Sequence, residues 1–438
     1  MAYGLSLAIP SLAACADLAG CLAEVGKVVA EARRGLHGGW ARLSHAHHNH
    51  WPEARWPTVA ELDAVTGSTP AVIMSFDHHA AVCNSAALAA AGLVAGQAVA
   101  PNGKVEADAV GAFTGLLSEQ AAYKVWFAAP QPGEPERLAA LARAAASLAA
   151  LGFAEVHDML AEPELPGLLT RLDAAGQLPL RIVLYTAPDN LGAMVHDRAG
   201  WSRRVRLGGA KLFADGTLSS RTALMMHRYT EPLVDASRGR CMVAPAAIGQ
   251  TVARCHELGV GLAVHAIGDA AVKMVLDCVE RFDSQLGSAH AGAARRCRVR
   301  IEHAELIDKM DVPRFVRQRV DCSVQPCHLL SDVEALNRYV PHRLDRVLPL
   351  RELLDAGLQP GRLGVDWETM QDVIDPADVC AAPAGLVFGS DAPIVRPEPE
   401  DSIFAAMHRR RPEMPESQAI GPLQALTEDE CWRCFAAP

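Results

Sequence analysis

The sequence predicts an α/β fold: a TIM-like (β/α)8 barrel short of its first strand, with an inserted α/β segment near the N-terminus. Three observations lead there. From about residue 135 onward, short apolar runs alternate with helical stretches, the pattern of a parallel sheet. Seven such runs fall within about 240 residues, which suits a barrel better than an open sheet. The chain has 438 residues, half of them hydrophobic and 21% charged, so it can bury a large core and is not a disordered chain.

Taken in order, Leu12 to Arg33 reads as a helix rich in Ala, Leu, Glu and Val. Gly35 to Pro57 holds five His, three Trp and two Pro and reads as an irregular loop. Ala71 to Asp77 reads as a buried strand, Asn84 to Ala91 as the start of a helix, and Gly92 to Gly115 as loop-rich. Residues 1–134 form an N-terminal helix and an inserted segment; residues 135–438 form the barrel. There, Glu136 to Leu151 is a strong Ala/Leu helix. The seven predicted strands are Phe153–Met159, Leu180–Thr186, Gly209–Gly216, Gly261–Asp269, Val299–Glu305, Asp321–Gln325 and Leu386–Pro393.

Composition narrows the function. The formal net charge is −10, with no basic stripe, which argues against a nucleic-acid partner. No apolar run is long enough to cross a membrane. Met1 to Gly26 is apolar but lacks a basic start, and Asp17 and Glu24 interrupt it, so no leader is expected. The 12 Cys are scattered, which fits reduced thiols in a cytoplasmic protein.

Polar residues recur at the C-terminal ends of the predicted strands: Lys211, His265, His303 and Asp391, with His157 and Asp158 ending the first run. In a barrel all these ends face one mouth. Two imidazoles and a carboxylate suit a divalent metal, with Zn²⁺ the default. An ammonium does not bind metal, but a lysine carbamate does. Each residue alone also has an ordinary reading: an ion-paired lysine, core histidines, a turn aspartate. The order Lys, His, His, Asp on separate strands favours the site.

Several segments resemble the amidohydrolase superfamily, in its amidohydrolase-3, YtcJ-like branch of metal-dependent hydrolases. They are AKLFADGTLSSRTALM at 210–225, VHAIGDAAV at 264–272, RIEHAELI at 300–307, SVQPCH at 323–328 and FGSDAPI at 388–394. Upstream, SFDHHAAVCNSAAL at 75–88 and GLLSE at 115–119 extend it. The resemblance implies hydrolysis of a carbon–nitrogen bond other than a peptide bond in a small-molecule substrate. It implies Lys211, carbamylated, as a bridge between metals, and His265 and His303 as ligands. Asp391 would be both ligand and general base. His79, Glu119, His157 and His328 would lie on the substrate side.

The sequence also departs from that family. The family's first strand ends in Asp-x-His-x-His, and Met1 to Gly4 aligns just after it. His45-x-His47 and His48-x-His50 follow no apolar strand, so they read as a solvated loop rather than a replacement. Cys431-x-x-Cys434 reads as incidental. Gln359 to Gly385 reads as an inserted surface loop or lid. A homodimer would cover surface left by the missing strand. The competing reading is a catalytically impaired chain of the same fold.

Overall fold

The computed structural model describes residues 3–4, 9–76, 78–100, 102–233, 236–289, 295–361 and 382–435. They form two compact units, Met1–Ala144 and Ala145–Pro438.

The first unit is built on a six-stranded sheet: β1 (Ala41–Ala46), β2 (Ala71–Ser75), β3 (Ala80–Cys83), β4 (Ala98–Val99), β5 (Gly103–Ala107) and β6 (Phe113–Ser118). Their spatial order is β1-β2-β3-β6-β5-β4. β1 and β2 are parallel and the other pairs antiparallel. Strand β2 is apolar from Ala71 to Met74, and both its faces are buried. Ala71 and Ile73 join a core with Val25 and Val29 of the Leu18–Arg33 helix. Val72 and Met74 join a second core with Ala122 and Val125 of the Gln120–Ala128 helix.

Three expectations change here. The first helix starts at Leu18, not Leu12, because the Asp17 side chain caps it by accepting from the Gly20 amide at 2.7 Å. Leu12 instead donates its amide to the Ser44 carbonyl at 2.8 Å. The His-rich stretch is not all loop: Ala41–Ala46 is a strand with Ala41, Leu43 and Ala46 in the core. Its polar residues hid it, since a strand needs apolar side chains only where it is buried. The stretch from Gly92 to Gly115 likewise contains β4, β5 and the start of β6.

The second unit carries an eight-stranded sheet, parallel at every pairing. Its strands are β7 (Glu155–Asp158), β8 (Arg181–Thr186), β9 (Val205–Phe213), β10 (Gly261–Ala266), β11 (Val299–His303), β12 (Val320–Val324), β13 (Gln359–Pro360) and β14 (Gly385–Phe388). The order is β13-β14-β12-β11-β10-β9-β8-β7. Seven of these are the predicted runs; the eighth, β13, is two residues long and too short to show a pattern. The other part of the 359–385 insertion, residues 362–381, lies outside the described residues.

One face of this sheet is apolar. Leu262, Val264, Val299, Ile301, Val320 and Val324 pack with Val272, Val275 and Val279 of the Asp269–Ala289 helix and Ile248 and Val252 of the Pro245–Leu258 helix. The opposite face carries charge, and the sheet curls around it. Arg300 on β11 reaches His157 on β7 at 2.6 Å, although four ladders separate these strands. A flat sheet would hold them roughly 19 Å apart. The Glu428–Phe435 helix buries Cys431 and Cys434 in the core, and burial raises both thiols to about 12, so neither is poised for redox or metal chemistry. No helix among the described residues is long and apolar enough to cross a membrane.

Two polar ties are testable. Asn84 is fully buried; its carbonyl oxygen accepts from the Ala71 and Ala87 amides, and its nitrogen donates to the Thr66 hydroxyl and the Thr69 carbonyl. Asn84→Ala removes a helix cap and leaves buried groups unpaired, so unfolding of the first unit should become easier by roughly 3 kcal/mol. Urea titration followed by tryptophan fluorescence reads this. The Glu430 carboxylate accepts two hydrogen bonds from Arg351, which with a Thr427 cap hold it at about 2. An unfolded Glu titrates at about 4.3, so this contribution is complete above that pH and is lost as pH falls toward 2. The pair is partly exposed and therefore screened, so it contributes about 1 kcal/mol. The Tm gap between wild type and Glu430→Gln should be constant above about pH 5 and close toward pH 2.

Candidate functional site

Register places the charged residues. Lys211, Ala263 and Arg300 form one row across β9, β10 and β11, and Phe213, His265 and Glu302 form the next but one. Partners in register share a face, so Lys211 and His265 project to the side of Arg300 and Glu302. His303 pairs with Ala266 and by alternation should face the other way. It does not, because His303 and Ala304 adopt φ of 71° and 43°, a left-handed turn at the strand end. Such positions cost a non-glycine residue about 1–3 kcal/mol. The turn brings the His303 ring to 4.5 Å from that of His265, edge to face.

Hydrogen bonds fix both rings. His303 Nδ1 lies 2.8 Å from Gln325 Oε1, and His265 Nε2 lies 3.1 Å from the Gly216 carbonyl. As N–H donors, these nitrogens give the ligating role to His303 Nε2 and His265 Nδ1. His328, first residue of the His328–Tyr339 helix, stacks 5.7 Å from His303. Its Nδ1–H donates to Glu305 Oε1 at 3.1 Å, and its Nε2 faces Asp391 Oδ2 at 3.8 Å. That Nε2 is buried and has no hydrogen-bond partner. Asp391 is half-buried, at φ 61°.

Electrostatics follow from burial. Desolvation would lower the His328 imidazole, but the Glu305 hydrogen bond and the Glu305 and Asp391 charges outweigh it and raise it to about 9. Desolvation raises the Asp391 carboxyl against the pull of His328 and Lys211. Desolvation brings the Lys211 ammonium down to about 8, opposed by Glu302 and Asp391. The Lys211 nitrogen sits 4.9 Å from the centre of the Phe213 ring.

Of the sequence-derived residues, His265, His303, His328 and Asp391 form a chain of neighbours, with Lys211 in the field of Asp391. Glu305 is the residue that sequence reasoning passed over. Among the described residues, His303, Glu305 and His328 are the set of three whose ligating atoms all lie within 4.8 Å of one another. Its signal was only a Glu two positions after a strand-end His. Asp215 was also missed. It accepts from the amides of Leu224, Ile267 and Gly268 and lies 3.6 Å from His265 Nε2, tying the turn after β9 to the turn after β10. Burial raises its carboxyl to about 7 while the three amides pull it down.

His157 is hydrogen-bonded at both ring nitrogens. Its Nδ1 accepts from Arg300 and its Nε2–H donates to Glu155 at 2.9 Å, so both ring nitrogens are held inside the curled sheet. His79 and Glu119 lie in the first unit and pair with each other, Nδ1 to Oε2 at 2.9 Å. Glu119 is buried at φ 48°, and its amide donates to the His79 carbonyl.

The sequence matches the amidohydrolase family over residues 2–379. It is 27% identical over 347 residues to Protein LONG AFTER FAR-RED 3 of Arabidopsis thaliana, a match spanning 76% of this chain and 57% of the relative. It is 25% identical over 383 residues to the N-substituted formamide deformylase of Arthrobacter pascens, spanning 84% of this chain and 68% of that enzyme. YtcJ of Bacillus subtilis is 26% identical over 385 residues, 87% of this chain and 65% of that protein. The chain therefore spans less than two thirds of the length of two of these three relatives. In structure it is similar to an uncharacterized metal-dependent hydrolase from Pyrococcus horikoshii, with a TM-score of 0.70 at 22% identity, over 99% of this chain and 77% of that one.

The charged face is held by Arg300, which hydrogen-bonds Glu302, His157 and, at 3.1 Å, the Ser323 hydroxyl. Arg300→Ala strands the Glu302 carboxylate and should destabilise the second unit by about 3–5 kcal/mol, whereas Arg300→Met with Glu302→Leu should cost far less. Paired denaturation curves check the contrast.

Proposed function

This chain belongs to the amidohydrolase family, and from that premise we propose that it is a divalent-metal-dependent hydrolase of carbon–nitrogen bonds other than peptide bonds. The carrying observation is the line His265, His303, His328, Asp391 on the charged face of the second unit. The donor set suits a borderline cation: three imidazoles with Glu305 and Asp391 beside them. The buried His328 Nε2 with no hydrogen-bond partner is the kind of atom such an ion satisfies.

In this reading His265 and His303 hold the ion, zinc by preference, with Asp391 and, as its carbamate, Lys211. Burial brings Lys211 to about 8, which enlarges the fraction of neutral amine that can add CO₂. Glu305 and His328 offer a second arrangement around the same His303. A bound divalent ion lowers the pKa of water and polarises a carbonyl. Asp391, its basicity raised by burial, takes the proton from the attacking water. His328 would serve as a ligand only as the neutral imidazole, and as a proton donor at Nε2 beside Asp391 only where no ion takes that nitrogen. The reading includes an inserted N-terminal segment, a small-molecule substrate and a dimer of two copies.

N-substituted formamides are the first substrates to offer, because one relative carries that name. Zinc-loaded chain should release formate from them, chelation should stop the release, and added zinc should restore it. Asp391→Asn should lower kcat by roughly 10²–10⁴-fold with zinc retained. His265→Ala should lose zinc; full zinc content in that variant refutes the ligand assignment. A zinc-loaded chain inert toward formamides, lactams and other non-peptide amides is the catalytically impaired alternative.

A further inference from the structure

We propose that Phe213 determines specificity at this site: its ring is an apolar wall beside the assigned ligands, and the amide taken there carries an apolar substituent about the size of a phenyl ring. The position of the reacting carbonyl is that of the hydrolase reading above, on which this rests. Strand β9 sets the geometry. Leu212 packs against the apolar core of the second unit. Side chains alternate along a strand, so Lys211 and Phe213 project to the opposite, charged face. β9 lies between β8 and β10, so Phe213 is not on a sheet edge. Its side chain is nonetheless 38% exposed, and among the described residues it is the one large exposed hydrophobic that lies on a strand.

The ring adjoins two of the residues assigned to the ion. Phe213 pairs in register with His265, and their ring centres lie 5.4 Å apart with planes at 40°. The Lys211 nitrogen lies over the Phe213 ring, 4.9 Å from its centre. Substituents of a carbonyl held among those residues extend about 1.5 Å per bond. Two or three bonds therefore span the separation between Phe213 and either neighbour.

Physical chemistry selects the substituent. A phenyl ring left partly in water gives up some of the burial that stabilises a fold. The same exposure serves binding. An apolar group laid on the ring removes surface from water on both partners. A polar or charged group would lose water there and gain no hydrogen bond from the ring. Burial of roughly 100 Å² in such a contact corresponds to roughly 10- to 100-fold discrimination.

The full chain is tested with amides that carry a cyclohexyl ring on one side or the other. N-cyclohexylformamide carries it on nitrogen and cyclohexanecarboxamide on the carbonyl carbon; N-methylformamide and acetamide are their small counterparts. Phe213→Ser and Phe213→Leu are compared with wild type, and Phe213→Thr, better suited to a strand, replaces serine should that variant lose Tm. Saturation-transfer NMR on the metal-free chain reads contact without chemistry. Cyclohexyl protons of at least one amide should receive saturation from wild type and Phe213→Leu, and several-fold less from Phe213→Ser. The amide that responds identifies the side on which the apolar group sits. In the zinc-loaded chain, the kcat/KM ratio of that amide to its small counterpart should fall roughly 10- to 100-fold in Phe213→Ser and change little in Phe213→Leu. A chain inert toward every amide that still shows the Phe213-dependent transfer supports this wall and counts against the hydrolase reading alone. Equal saturation transfer in wild type and Phe213→Ser or, in an active chain, equal kcat/KM ratios overturns the role of Phe213 and leaves the hydrolase reading in place.

Discussion

The second unit turns on one buried guanidinium. Its sheet has an apolar face that packs on helices and a charged face that curls inward, and a charged interior is stable only if its charges are matched. Arg300 does the matching. It joins Glu302 on its own strand, Ser323 on β12 and His157 on β7. The His157 bond crosses the curl rather than running along a ladder, so it ties β11 to the far edge of the sheet. Glu302 lies in register with His265 and in the field of Lys211. The same neutralisation that permits the curl therefore sets the electrostatics of the proposed ligands.

Much of this architecture was legible in the sequence. The seven runs from Phe153 to Pro393 announced the parallel sheet because buried strands must be apolar over several residues. Lys211, His265, His303 and Asp391 were legible because each closes such a run. Three things were not. Strand β1 was hidden because Arg42, Ser44 and His45 break its apolar pattern, while Ala41, Leu43 and Ala46 alone face the core. Strand β13 is two residues long. Glu305 and Asp215 act through contacts made only when distant turns meet, as when Asp215 accepts from the Leu224 amide in the segment after β9 and from the Ile267 and Gly268 amides in the turn after β10. No local pattern encodes such a meeting.

Backbone conformation is the other part the sequence concealed. Left-handed positions are normally flagged by glycine, or by a helix end such as Arg319 and Arg409. His45, His78, Glu119, His303 and Asp391 adopt positive φ without that flag. At His303 the consequence is decisive. With ordinary strand alternation its ring would point into the apolar core beside Ile301, away from His265. The strained turn reverses it.

A strain of about 1–3 kcal/mol per residue persists only where surrounding contacts hold it in place. At His303 those contacts are visible: Gln325 grips the ring, and the Ala304 amide donates to the Ala266 carbonyl at 3.0 Å. At Glu119 the amide and the carboxylate both close on His79. At Asp391 the Ile394 amide donates back to its carbonyl at 2.9 Å, closing the turn, while the side chain faces the imidazolium of His328. Each of these three turns presents an ionisable side chain that regular backbone would aim elsewhere. At His303, Glu119 and Asp391, then, departure from regular backbone geometry decides where an ionisable side chain is aimed, and the hydrogen bonds of each turn keep it there.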